Sequence, residues 1–232
     1  MIHQYARTFL IVSGLAACGS EPPPAVDTPA APPVVEGVTI GVDARPLIVF
    51  LGTSLTAGLG LSDPSQAYPG VIQAKLDSAG LGYRVVNAGI SGETSAGALR
   101  RVDWVMSQGE VAVLFVETGA NDGLRGQDPD TLRANLEAIF ERALAQDPPP
   151  RLILAGMEAP PNLGREYTAR FRAVYPEVAR TNGAMLLPFL LEGVAGVESL
   201  NQPDGIHPTA EGQRQIAELV WGVLRPALGS EP

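Results

Sequence analysis

Between residues 46 and 226, short apolar runs alternate with longer segments whose apolar positions recur every three to four residues. The runs occupy 47–51, 84–87, 111–117, 152–155 and 185–188. They are rich in Val, Ile and Leu and lack polar alternation, which suits parallel strands buried on both faces. In the intervening segments, Leu132, Leu136, Ile139, Phe140, Ala143 and Leu144 keep to one helical face. Ile216, Leu219, Val220, Val223 and Leu224 do the same near the C-terminus. Alternating strand and helix signals predict an α/β fold, a three-layer α/β/α sandwich with right-handed crossovers. In open sheets of this kind, ligands bind beyond the carboxyl ends of the strands. The stretches that follow the runs, 52–54, 87–94, 119–122 and 159–162, are therefore expected to meet at one edge.

Before residue 46 this pattern is absent. Residues 1–7 carry one arginine, and residues 8–17 form an apolar stretch too short to span a bilayer. Residues 1–17 read as a signal peptide. The Pro-rich stretch up to residue 43 has no apolar period, and such chains stay extended at about 3.1 Å per residue. It reads as a tether to a domain at 44–232, with a tail of no spacing role as the alternative. Leu15-Ala16-Ala17-Cys18-Gly19 resembles the bacterial lipoprotein signal, which implies that Cys18 becomes the first mature residue and carries lipid. An ordinary secretory peptide with a chance cysteine is the other reading. Several acyl chains on one residue would anchor it stably, because each buried CH₂ contributes ~0.8 kcal/mol. The implied location is extracytoplasmic, on a bacterial membrane. In a Gram-negative host, Gly19 after Cys18 resembles lipoproteins sorted to the outer membrane.

The formal net charge of −9 over 232 residues argues against nucleic acid as a partner, since such binding is led by Lys and Arg on phosphates. Neutral substrates and lipid esters stay open. The single cysteine excludes an internal disulfide. Of the two histidines, His3 falls in the leader, which leaves His207 as the only one in the mature chain.

Ser54 follows the first apolar run in Phe50-Leu51-Gly52-Thr53-Ser54. A serine between strand and helix is commonly an N-cap. A phosphate loop is excluded, because no Lys-Ser or Lys-Thr closes the glycine stretch. The Gly-x-Ser-x-Gly elbow is excluded by Thr56. A nucleophilic serine needs a base, most often histidine oriented by a carboxylate. Asp204-Gly205-Ile206-His207-Pro208 offers both, with a surface turn as the alternative. Asn121 can donate a side-chain N–H to an oxyanion, or form a turn. Gly92 can bring a backbone N–H to a ligand, or serve a plain turn.

Taken in order, Gly52-Thr53-Ser54-Leu55, Ile90-Ser91-Gly92-Glu93-Thr94, Gly119-Ala120-Asn121-Asp122 and Asp204-Gly205-Ile206-His207-Pro208 resemble the four blocks of the SGNH, or GDSL, hydrolase family. The segment "ETGANDGLRG" and the later "LLPF" resemble its bacterial thioesterase, lysophospholipase and arylesterase branch. The resemblance implies a flavodoxin-like five-stranded parallel sheet of order 2-1-3-4-5. It implies Ser54 as nucleophile, His207 as base and then acid, and Asp204 as its orienting carboxylate. The Ser54 and Gly92 N–H groups and the Asn121 side chain would form the oxyanion hole. No cofactor and no metal are implied. The implied substrates are aryl esters, acyl thioesters or lysophospholipids, cleaved through an acyl-enzyme. A carbohydrate O-deacetylase and a non-catalytic glycan- or lipid-binding lipoprotein are the alternatives.

One position departs from the family, where Thr53 stands in place of the usual Asp. It is expected to tune the loop without abolishing chemistry. Asp122 and Arg125 are expected to pair, Trp104 and Phe140 to lie in the core, and Glu158 to sit as a solvated carboxylate on the rim. The loop at 160–164 resembles the wall of the branch's acyl groove.

Overall fold

The structure is a computed structural model that describes residues 43–229. The expected leader, Cys18 and nearly all of the tether lie outside the described residues. Five parallel strands form one sheet: β1 (Leu47–Gly52), β2 (Arg84–Gly89), β3 (Val111–Glu117), β4 (Arg151–Ala155) and β5 (Met185–Leu187). Their order is β2-β1-β3-β4-β5, as the resemblance implies. Strand β1 runs beside both β2 and β3, and Phe50 pairs with Asn87 on one side and Phe115 on the other. Every residue of β1 is buried, because helices cover both faces of the sheet. The rings of Phe50 and Phe115 lie 5.0 Å apart, and Tyr68 meets Phe50 edge-on at 5.5 Å.

Among the described residues, seven α-helices accompany the sheet: α1 (Ser54–Ala57), α2 (Tyr68–Ser78), α3 (Ser95–Met106), α4 (Ala120–Leu124), α5 (Pro129–Leu144), α6 (Arg165–Asn182) and α7 (Ala210–Ala227). Helices α3, α5 and α6 pack in series as one layer, and α2 packs on α7 in the other. Helix α5 shows why such segments form. Asp128 caps it by accepting from Asp130 N, Pro129 fits the first turn, and Leu132, Leu136, Ile139, Phe140 and Ala143 bury one face. Each large side chain buried this way stabilises the fold by ~1.5–3 kcal/mol.

The sequence pattern overstates burial in four places, one of them the edge strand β5, where Met185 is exposed and Leu186 half-buried. Strand β2 is not buried on both faces, because it forms an edge of the sheet and is half-exposed along its length. Side chains serve part of its backbone: Gln73 Oε1 accepts from Val85 N at 2.7 Å, and Asn87 Oδ1 from Gly89 N at 3.0 Å. Such capping blunts an edge against pairing with another chain. Trp104 is not a core residue; 65% of it is exposed, whereas Phe140 is fully buried. Leu144, at the last turn of α5, is also exposed.

Candidate active site

The four stretches beyond the strand ends converge as expected. Thr53 and Ser54 after β1, Gly92 after β2, Ala120 and Asn121 after β3, and Ala159, Pro160 and Pro161 after β4 all line one groove of about 660 Å³. His207 closes it from the segment before α7.

Ser54 is the first residue of α1, and the cap position falls to Thr53. Its hydroxyl is thus free of capping and lies 3.0 Å from His207 Nε2. His207 Nδ1 lies 2.7 Å from Asp204 Oδ2. The other carboxylate oxygen accepts from the backbone of His207 at 3.0 Å and of Ile206 at 2.9 Å. The bond from the His207 backbone N–H, then the one from its ring, holds the Asp204 carboxyl far below the usual carboxylate range. Gly205 at φ +70° makes the tight turn that lets Asp204 reach a ring three residues on. An ionised Asp204 accepts from Nδ1–H, which leaves Nε2 unprotonated and able to take the Ser54 proton.

Two further groups line the same groove. Gly92 adopts φ +79° with open space where a Cβ would stand, so glycine is required by backbone conformation and not by room. Asn121 Nδ2 donates to Glu93 O at 2.9 Å. Arg101 binds both Glu93 carboxylate oxygens at 2.9 Å and also reaches Gly52 O at 3.2 Å. Arg125 donates to Gly92 O at 3.0 Å. The expected Asp122–Arg125 pair does not form. Asp122 turns inward and accepts from Ser95 N at 2.9 Å and Ser95 Oγ at 2.5 Å, because a buried carboxylate needs donors close by. The two arginines instead tie down the loop that carries Gly92.

Beneath Ser54 sits a group that the sequence reading passed over. Glu117 closes the apolar run of β3 and is fully buried. It accepts from Thr53 N at 2.8 Å, Thr53 Oγ1 at 2.9 Å and Thr56 Oγ1 at 2.8 Å. Tyr68 Oη lies 2.6 Å from Thr56 Oγ1. Burial pushes the Glu117 carboxyl above its ordinary range, and the bonds from Thr53 and Thr56 oppose that shift. A Cβ on Gly52 would strike Thr56 Oγ1 and Glu117 Oε2, so this glycine is needed for close approach. The available signal was a carboxylate ending an otherwise apolar buried strand.

The groove wall is mostly apolar. Leu59, Leu124, Met157, Phe189, Leu191 and Ile206 contribute to it. Glu158 lines the groove and pairs with Arg172 at 2.9 Å, so its charge is met by a side chain as well as by solvent. Among the described residues, no group of His, Cys, Asp and Glu is arranged to hold a metal ion, and no helix is long and apolar enough to cross a membrane.

Residues 50–215 match the GDSL-like Lipase/Acylhydrolase family. The chain is 42% identical over 185 residues to Esterase TesA of Pseudomonas aeruginosa, covering 80% of this chain and 90% of that protein. It is 35% identical over 194 residues to Thioesterase 1/protease 1/lysophospholipase L1 of Escherichia coli, covering 84% and 90%. Among solved structures, the psychrotrophic esterase EstA from Pseudoalteromonas sp. superposes with a TM-score of 0.75 at 32% identity, covering 80% of this chain and all of that one. A match that spans most of the domain, together with relatives aligned along nearly their whole length, places this chain in the GDSL-like lipase/acylhydrolase family.

Proposed function

We propose that the protein is a serine hydrolase of carboxylic esters and thioesters, acting on aryl esters, acyl thioesters or lysophospholipids through an acyl-enzyme on Ser54. The observation that carries this reading is the hydrogen-bonded series Ser54–His207–Asp204 at the floor of an apolar groove. In the first step Ser54 Oγ attacks the ester carbonyl carbon while its proton passes to His207 Nε2. Asp204 holds the ring and stabilises the imidazolium. The carbonyl oxygen becomes an oxyanion, met by the Ser54 and Gly92 N–H groups and the second N–H of Asn121. Collapse breaks the bond to the alcohol or thiol, which leaves with the proton from His207. Water then repeats the sequence on the acyl-enzyme, with His207 again as base, and releases the acid.

The names of the relatives support the reaction class. The apolar wall favours an acyl chain longer than acetyl, which favours this reading over sugar deacetylation. The lipid anchor at Cys18 and the extracytoplasmic membrane location belong to the same proposal and rest on the sequence resemblance alone.

The test is hydrolysis of p-nitrophenyl acyl esters of increasing chain length by the wild type, Ser54→Ala and His207→Ala. Each variant is expected to lose on the order of 10⁴-fold or more in kcat. Wild-type turnover by Ser54→Ala refutes the mechanism, and strict preference for acetyl esters of sugars refutes the substrate class.

A further inference from the structure

We propose that Glu117 is a positioning residue for the nucleophile turn, working as an ionised acceptor, and that Thr53 frees it from the shared proton an Asp at that position would require. The inference rests on the assignment of Ser54 as nucleophile.

The geometry beneath Ser54 is one-directional. Thr53 N, Thr53 Oγ1 and Thr56 Oγ1 all face Glu117 oxygens at 2.8–3.1 Å. Thr56 has one hydroxyl proton and gives it to the carboxylate, so its contact with Tyr68 at 2.6 Å is one in which Tyr68 donates. The Thr53 N–H can only donate, and both threonine hydroxyls are placed to donate as well, so an ionised Glu117 is satisfied without a proton of its own. The residues so held are Thr53, immediately before Ser54, and Thr56, two positions after it. The carboxylate thus grips both ends of the turn that aims the nucleophile.

Other ionisable groups leave this arrangement undisturbed. Tyr68 from α2 and Tyr175 from α6 are fully buried phenols, kept protonated by burial. On the α3 side, Arg101 is paired with Glu93 and reaches only the carbonyl of Gly52. His207 meets Ser54 from the opposite, groove side.

With Asp in place of Thr53, two buried carboxylates would stand within hydrogen-bond distance. Like charges so close cannot both ionise, so one would keep a proton and donate it to the other. The turn would then hold its shape only while that proton remained. Threonine supplies the same donor from a hydroxyl that does not titrate in this range, so the turn keeps its geometry as pH rises.

The test compares Thr53→Asp, Thr53→Ser, Thr53→Val and Glu117→Gln in the full chain, with kcat and KM for a neutral p-nitrophenyl ester between about pH 6 and about pH 10. Thr53→Ser is expected to stay within about twofold of wild type. Thr53→Val and Glu117→Gln are expected to lose roughly tenfold or more in kcat with KM little changed. For Thr53→Asp, the ratio of kcat to the wild-type value is expected to fall with rising pH, as the shared proton is lost. A flat ratio overturns the proposal. Should Thr53→Asp fail to fold, the other variants decide: kcat lost in Val and kept in Ser supports the proposal, and wild-type kcat in Val overturns it. Ser54→Ala at wild-type rate would instead refute the underlying mechanism, a distinct outcome.

Discussion

Asn121 carries two N–H groups on one nitrogen, and only one is engaged, with Glu93 O at 2.9 Å. That bond fixes the amide plane so that the second N–H is available to a substrate oxygen in the groove that Asn121 lines. Such a donor acts mainly on the transition state, where the oxygen carries charge. Asn121→Ala should therefore lower kcat by roughly 10²–10³-fold and leave KM nearly unchanged. A parallel rise in KM with kcat intact would show that Asn121 serves ground-state binding instead. Thermal unfolding of the variant checks that the loop held by Glu93 has not come apart. The neighbouring charges divide by burial in the same way. Asp122 is inside and satisfied by Ser95, whereas Asp204 is more open and owes its low proton affinity to the backbone and ring of His207.

At the level of elements, α5 isolates one local contribution. Its cap, Asp128, is exposed, accepts from Asp130 N at 3.0 Å, and also meets Arg170 at 3.2 Å. Loss of the cap side chain costs about 1 kcal/mol, and an exposed ion pair adds little. Asp128→Ala is expected to lower the unfolding free energy read from urea titration by about that amount, with a correspondingly lower midpoint, while esterase activity stays at the wild-type level. An unchanged midpoint would mean that Pro129 and the buried face set the helix start unaided. The same balance explains what could be read in advance. Strands β1 and β3 are apolar along nearly their length because both faces are covered, so their runs were unambiguous. Strand β2 carries a similar run but lies at the edge, and periodicity does not report a strand's rank in the sheet. Trp104 keeps a helical spacing that no neighbour buries. That Ser54, His207 and Asp204 meet, and that Gly92 and Asn121 line the same groove, was legible because each sits in a block whose residue types fit one chemistry. Glu117, Thr56 and Tyr68 were not, since their roles exist only once β3 runs beside β1 and α2 covers the sheet.

For the whole molecule, charge separates classes of acyl donor. The chain has a formal net charge of −9. None of the residues lining the groove is Lys or Arg, whereas Glu158 is one of them. A field of this sign repels anionic substrates over the screening distance, about 30 Å at 0.01 M salt and about 8 Å at 0.15 M. Neutral esters feel no net force, and zwitterionic lysolipids feel little. A thioester whose leaving group bears several phosphates approaches against the field. Its kcat/KM should therefore rise several-fold as salt increases from about 0.01 M to about 0.15 M, while that for a neutral aryl ester stays flat. The pair of substrates cancels effects of salt on stability and on the chemical step. If the polyanionic thioester instead slows with salt, a cationic patch must be steering it. The charge argument for neutral and zwitterionic esters would then be wrong, and the surface around Arg125 and Arg172 would be the first place to look for the patch.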